Sequence, residues 1–381
     1  MLLSMGRRSY FVLVLMLLVA ATYGFLRPQA FQLLFKDPAA VALVGGPMVQ
    51  IGHPDGRTAI VIAWRTEEKS SSRIDFGVTP DYGSSVSDPE PKTRHDLVVP
   101  NLEPDRRYHY AISGNGQKLA TSVVQTGKTK DQSFRFAVLG DSGSGSSRQR
   151  AVAQQIEQQD VDFIVHTGDV VYWDGKDQDY QKKFYRPYQK LISRIPIFPT
   201  LGNHDVMTAN GQAWIDNFVL PGNERYYSFD YAHASFVVMD SNRVDGDSAR
   251  WLEQALAAGT GVWKFVVFHD PPFAARIDNN GNKDVRDLWV PLLERYRVDL
   301  VFSGHYHVYT RFRKRNGVTY IIEGVGGDHL RPKDLQGDTT NVVASDHREF
   351  GIGLVDVSTR SVIMKHITES GKIVDSFLLA K

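Results

Sequence analysis

Five short apolar runs, at residues 134–139, 162–165, 195–201, 263–268 and 300–302, each stop at polar side chains that can hold a metal ion. The endings read Gly140-Asp141-Ser142-Gly143, Gly168-Asp169-Val170-Val171-Tyr172, Gly202-Asn203-His204-Asp205, His269-Asp270-Pro271 and Gly304-His305-Tyr306-His307. Runs this short and this apolar read as strands buried on both faces. Between them, Val285, Leu288, Trp289, Leu292, Leu293 and Tyr296 recur at helix spacing, and Trp251, Leu252 and Leu256 mark another helix. An α/β sheet of this kind assembles its site outside the carboxyl ends of its strands, so the five clusters are expected in one crevice. Glycine before the polar residue lets each short loop approach its neighbours closely.

Seven ligand candidates follow: Asp141, Asp169, Tyr172, Asn203, His269, His305 and His307. One carboxylate shared between two ions, with three further ligands on each, accounts for all seven. Two-metal hydrolytic sites place their ions about 3.5–4 Å apart, a span that one carboxylate bridges. His166 lies inside the second run and is read as core. A lone Gly-Asp or G-H-x-H would mean little; five in order, each on an expected strand, carry the reading.

Composition narrows the alternatives. The chain has 381 residues, enough for two domains at the usual ~150 residues each. Lys plus Arg number 44 against 43 Asp plus Glu, which leaves no overall electrostatic footprint for nucleic acid. Cysteine is absent, which excludes disulfides, thiolate zinc sites, iron–sulfur clusters and cysteine nucleophiles.

Residues 45–128 read as short alternating strands separated by turns such as Gly114-Asn115-Gly116, which predicts a small β-sandwich. Residues 134–381 form the α/β part, and its tail from residue 350 returns to short strands around Gly371-Lys372. Residues 27–44 read as a linker. In residues 1–26, Arg7 and Arg8 precede an apolar stretch centred on residues 11–21, the pattern of a cleaved signal peptide or an uncleaved N-terminal membrane anchor. Either form places the remaining chain outside the cytoplasm, periplasmic, extracellular or membrane-anchored.

The five blocks resemble the calcineurin-like metallophosphoesterases, and within them the purple acid phosphatases. Gly143 stands where the superfamily pattern has a histidine, and Tyr172 where it has an aspartate. The purple branch makes both changes together, replacing the lost imidazole with a tyrosinate. Residues 60–66, Tyr82-Gly83 and residues 102–110 are similar to the fibronectin type III-like domain of plant-type members. The resemblance implies Fe(III) held by Asp141, Tyr172, His307 and Asp169. It implies Fe(II), Zn(II) or Mn(II) held by Asn203, His269, His305 and the same Asp169. Family members often carry a second histidine nine or ten residues past the one matching His269. Here that stretch has none; Arg276 could supply a phosphate contact there, but it is read as solvated surface. Asp205 replaces a glutamate and has no assigned role.

The expected activity is hydrolysis of a small phosphomonoester by a metal-bound hydroxide, that of an acid phosphatase. Asn203 and His204 are the expected substrate contacts, with His204 as proton donor to the leaving oxygen. A phosphodiesterase of the same superfamily is the alternative enzyme; a binding or adhesion protein with an inactive phosphatase half is the alternative class. Nucleic acid is not an expected partner, and the oligomeric state is open.

Overall fold

The computed structural model describes residues 40–50, 57–277 and 280–381. The leader or anchor expected in residues 1–26 lies outside them. No helix among the described residues is long and apolar enough to cross a membrane. The first strand begins at Leu43, two residues inside the expected linker.

The N-terminal region is strand-rich. Strands β1 (Leu43–Gln50), β2 (Ile60–Gly77), β3 (Ser84–Val99), β4 (Arg107–Gly114) and β5 (Gln117–Gln125) join in one antiparallel network. The first part of β2 pairs with β1 and its last part with β4, while β3 follows it along both. Register shifts interrupt the β2–β3 ladder between Arg65 and Ser72, where the long strands bend. Val49 of β1 and Ile112 of β4 share one apolar cluster with Trp64, Ile74 and Tyr110, so the network curls around a single core. The layers are therefore continuous through β2 and β3.

The α/β part holds two further sheets. In the first, β6 (Phe134–Leu139), β7 (Phe163–His166) and β8 (Ile197–Pro199) run parallel. The C-terminal strands β16 (Gly351–Val357), β17 (Ser361–Thr368) and β18 (Ile373–Ala380) extend it antiparallel. The second sheet contains β9 (Tyr227–Tyr231), β10 (Ala234–Val238), β11 (Trp263–Val267), β12 (Leu300–Ser303), β13 (Tyr309–Phe312), β14 (Thr319–Glu323) and β15 (Val342–Asp346). Its central strands β10, β11, β12 and β14 are parallel. All five expected strands exist, the third shorter than its run. Strands β9, β10, β13, β14 and β15 lacked a ligand ending, and the sequence reading passed over them.

Phenylalanines lock the sheets face to face. Phe136 and Phe163 stack at 5.1 Å, and Phe236 meets both edge-on at 5.4 Å. Helices α1 (Ser147–Glu157) and α2 (Arg186–Ile192) cover the first sheet through Val152, Ile156, Tyr188 and Leu191. Helix α4 (Gly246–Ala258), which follows the short α3 (Gln212–Asn217), covers the second sheet through Leu252 and Leu256. Asp245 caps α4 in a reciprocal capping box with Ser248. The helix expected over 285–296 is a π-helical turn, Val285–Trp289, running into α5 (Val290–Arg295). Pro291 explains the widening: it has no N–H for the α-helical ladder, and its ring crowds the preceding turn. Pro187 follows another π-helical turn, Gln181–Tyr185, in the same way.

The N-terminal region docks beside the loop that follows Tyr172. Arg65 grips Asp177 bidentately at 2.6 and 2.8 Å and also donates to Asn217 at 2.8 Å. Tyr110 donates to the Ser193 carbonyl at 2.6 Å. Arg65→Ala leaves Asp177 and Asn217 short of donors, at a cost of about 1–3 kcal/mol. Its thermal midpoint, read by calorimetry, should fall by a few degrees, and an unchanged midpoint would show the clamp to be inert.

Candidate metal centre

The strand ends meet as expected. Asp141 and Tyr172 close the loops after β6 and β7, Asn203 the loop after β8, His269 the end of β11, and His305 and His307 the turn after β12. Asp141, Asp169 and His305 have φ of 55°, 55° and 70°. Left-handed backbone is uncommon outside glycine and is held only where surrounding structure enforces it. Two glycines show the crowding. A Cβ on Gly202 would sit 2.1 Å from Asp169 Oδ1, and one on Gly304 would sit 2.4 Å from Asp141 Oδ2.

The seven residues form two clusters of lone pairs. In one, Tyr172 Oη lies 3.1 Å from Asp141 Oδ1 and 3.0 Å from His307 Nε2. In the other, Asn203 Oδ1 lies 2.9 Å from His269 Nε2 and 3.0 Å from His305 Nδ1. Asp169 links them: its Oδ2 is 3.5 Å from His269 Nε2, and it shares with Asp141 and His269 a group of ligand atoms all within 4.8 Å. The tautomers are set from behind. His269 Nδ1 faces the Thr167 carbonyl at 2.9 Å and His307 Nδ1 the His329 carbonyl at 2.5 Å, so each donates there and turns its Nε2 inward. His305 is reversed, with Nδ1 inward and Nε2 3.4 Å from Asp270 Oδ1. Two convergent sets of oxygen and nitrogen ligand atoms fit a pair of cations.

Electrostatics of the metal-free chain agree. Burial raises Asp141 well above the usual carboxylate range, and burial, with Asp141 and Asp169 nearby, raises Tyr172 further. Burial opposes charge on His269, but Asp169, Asp141 and Asp270 outweigh it and push the imidazole up to about 9. Burial, with Arg331 second, depresses His307 to about 2. Protons thus sit on Tyr172 and His269, and burial favours one on Asp141, where a cation would displace them.

Residues outside the ligand set hold it together. Asp205 is buried, and its carboxylate accepts from the backbone N–H groups of Val170, Val171 and Gly202 at 2.9–3.1 Å. It therefore ties the Asp169 loop to the Asn203 loop, the role the sequence left open. Burial and the nearby Asp169 charge raise it to about 7. His166 is core, as read. Its Nδ1 accepts from Gly168 N–H at 3.2 Å, so its Nε2–H donates to Ser142 at 2.8 Å, and burial depresses it to about 3. Arg276 is not solvated surface: it pairs with buried Asp334 at 3.2 Å and lies over the Tyr306 ring. Asp270 was legible only as the neighbour of His269. Trp173 and the loop from Gly326 to Arg331 gave no sequence signal, although both border the site.

His204 stands at the rim. Its backbone N–H donates to Asp169 Oδ1 at 2.9 Å, its Nδ1 faces the Trp173 carbonyl at 2.5 Å, and its Nε2 is 3.9 Å from Asp169 Oδ2. It approaches the centre without joining either cluster.

Metal uptake should release at least two protons, so affinity should rise with pH; calorimetry in buffers of different ionisation heat measures both. Without metal, the raised His269 contributes stability that is present below its unfolded value near 6.5 and lost as pH rises through about 9. The metal-free thermal midpoint should therefore fall across that window. Asp205→Ala strands three buried N–H donors at roughly 1–3 kcal/mol each and should release metal more readily in a chelator titration.

A family model described as calcineurin-like phosphoesterase matches residues 134–309. Purple acid phosphatase 22 of Arabidopsis thaliana is 29% identical over 58% of this chain and 54% of its own length. The chain thus spans little more than half of that relative. The probable purple acid phosphatase 20 of the same plant is 27% identical over 77% of this chain and 74% of its own. The solved structure of purple acid phosphatase PPD1 from yellow lupin (Lupinus luteus) seeds superposes with a TM-score of 0.74 at 19% identity, covering 88% of this chain and 74% of that one. That likeness is one of fold.

Proposed function

Because the chain carries a calcineurin-like metallophosphoesterase domain homologous to the plant purple acid phosphatases, we propose that it hydrolyses small phosphomonoesters as a dinuclear acid phosphatase. The observation that carries the reading is the pair of convergent acceptor clusters joined by Asp169. Asp141, Tyr172 and His307 would hold Fe(III); Asn203, His269 and His305 would hold Fe(II), Zn(II) or Mn(II). Phenolate and carboxylate oxygens suit a hard trivalent ion, and imidazoles with an amide oxygen suit a divalent one. Such ions, when bound, acidify water and neutralise phosphoryl oxygens.

The chain's own residues supply the rest. His204 Nδ1–H donates to the Trp173 carbonyl, so Nε2 carries a proton only in the imidazolium form. The charged ring can donate Nε2–H to the leaving oxygen. The His204 backbone N–H holds one Asp169 oxygen, leaving the other turned toward His269. Export from the cytoplasm, with or without an N-terminal anchor, belongs to the same proposal and rests on Arg7, Arg8 and the apolar stretch after them.

Metal-loaded protein assayed against an aryl phosphate monoester and the matching diester, with metal content measured, tests the reading. Preference for the monoester on the acid side of neutrality supports it. Preference for the diester makes the protein a phosphodiesterase, and inactivity with two bound metals leaves a binding protein. Tyr172→Phe should bleach the visible charge-transfer band of the iron-loaded protein and weaken iron binding. A colourless wild type holding Fe(III) would remove the tyrosinate.

A further inference from the structure

The loop after β14 crosses the centre and is fastened to it by its own backbone. Asp328 N–H donates to the Asp141 carbonyl at 3.1 Å, Arg331 N–H donates to the His307 carbonyl at 3.2 Å, and the His329 carbonyl accepts from His307. Ser144 and Ser146 both donate to the Gly327 carbonyl at 3.0 Å, holding the loop's start.

Its side chains form a relay. Asp328 accepts from His329 Nδ1–H, and His329 Nε2 accepts from Arg331 Nε–H at 2.8 Å. Both nitrogens of His329 are thereby used, and His307 turns its Nε2 toward Tyr172. The proximity of His307, Asp328 and His329 consequently does not make a third metal site. What the relay fixes is the Arg331 guanidinium. The Arg331 backbone N–H on the His307 carbonyl and its Nε–H on His329, whose ring stands 4.5 Å from that of His307, place it beside the Asp141, Tyr172 and His307 half of the centre.

Arg331 also differs from the part-buried arginines that hold carboxylates, and from Arg286, whose guanidinium is spent on the Pro272 and Asn280 carbonyls. Arg65 is paired with Asp177, Arg225 with Asp240, Arg276 with Asp334 and Arg311 with Asp375. Among the described residues, no carboxylate lies within ion-pair distance of Arg331. A half-buried guanidinium beside a catalytic centre, ordered by a neutral acceptor and lacking a counter-ion, leaves its fork available to a second anion. The opposite wall is Trp173, 57% exposed, whose ring stands 6.0 Å from His329 and 5.5 Å from His204.

We propose that Arg331 is a substrate-binding residue that takes the non-bridging oxygens of the phosphoryl group, with His329 and Asp328 as its positioning residues. The assignment deepens the phosphatase reading and rests on it. The ligand class is a phosphate dianion or monoester head group, which matches a planar fork with two parallel N–H donors.

The test uses the metal-loaded full chain and inorganic phosphate as the probe, with binding measured by calorimetry and metal content measured alongside. Arg331→Ala should weaken phosphate binding at least ~10-fold, the size of a charge-assisted hydrogen bond, with both metals retained. For an aryl phosphate, its KM should rise by more than its kcat falls. Arg331→Lys keeps the charge without the fork and should recover part of the loss. His329→Ala should weaken phosphate binding less than Arg331→Ala does, at unchanged thermal midpoint and metal content. Unchanged phosphate affinity in Arg331→Ala overturns the proposal. So does a metal-loaded wild type that binds no phosphate, or loss of metal or of the fold in both Arg331 variants, which would make the arginine structural. A wild type that binds phosphate through Arg331 yet cleaves no ester would sink the phosphatase reading alone.

Discussion

Everything at the centre depends on how two sheets are pressed together. Phe136 and Phe163 on one sheet interdigitate with Phe236, Phe265 and Phe302 on the other, all fully buried. Packed sheets stand about 10 Å apart, and interdigitated rings resist sliding because a displaced ring leaves a void or a clash. That packing brings the ends of β6, β7 and β8 to the same edge as those of β11 and β12. No single sheet carries a complete ligand set: Asp141, Asp169, Tyr172 and Asn203 come from one side and His269, His305 and His307 from the other.

Bringing those groups together is unfavourable by itself. Carboxylates, a phenol and imidazole lone pairs converge where water is scarce, and buried charge without a partner is costly. The fold offsets this from behind, where backbone is plentiful. Asp205 takes three backbone N–H groups, His166 braces Gly168 and Ser142, and carbonyls of Thr167 and His329 hold the tautomers. The left-handed residues Asp141, Asp169 and His305 belong to the same economy of space. Each turn is so tight that the side chain must leave at an angle ordinary loops do not offer.

That division explains what the sequence discloses. Ligands sit at fixed offsets from apolar runs, because a strand must end before its last side chain can face a crevice. The convergence of Asp141, Asp169, Asn203, His269, His305 and His307 was therefore readable, and Tyr172 with them through its block. Supports do not obey such offsets. Asp205 looks like any acid in a turn, and only three-dimensional proximity shows that its neighbours are Val170 and Val171. Arg331 lies in a loop without periodicity, and its lack of a carboxylate partner among the described residues is something no linear pattern records. The curled continuity of the N-terminal strands was hidden for a related reason. Alternation marks strands and faces, but the bend between Arg65 and Ser72 follows from register shifts in pairing.

The two halves of the centre are not equally deep, and this orders the approach of a ligand. Asp141, Tyr172 and His307 are about 1% exposed, whereas the His305 side chain is 30% exposed and His204 19%. Solvent therefore reaches the centre along the side lined by Asn203, His204 and His305. A phosphoester of the proposed kind would meet its first polar contacts at that rim, with the indole of Trp173 beside His204. The alcohol portion of such a substrate would then remain outward, because the deep half is closed by Tyr172 and the phenyl-packed sheets beneath it. Ligand depth, set by strand length and loop tightness, thus fixes which end of a substrate points into the protein before any specific contact is made.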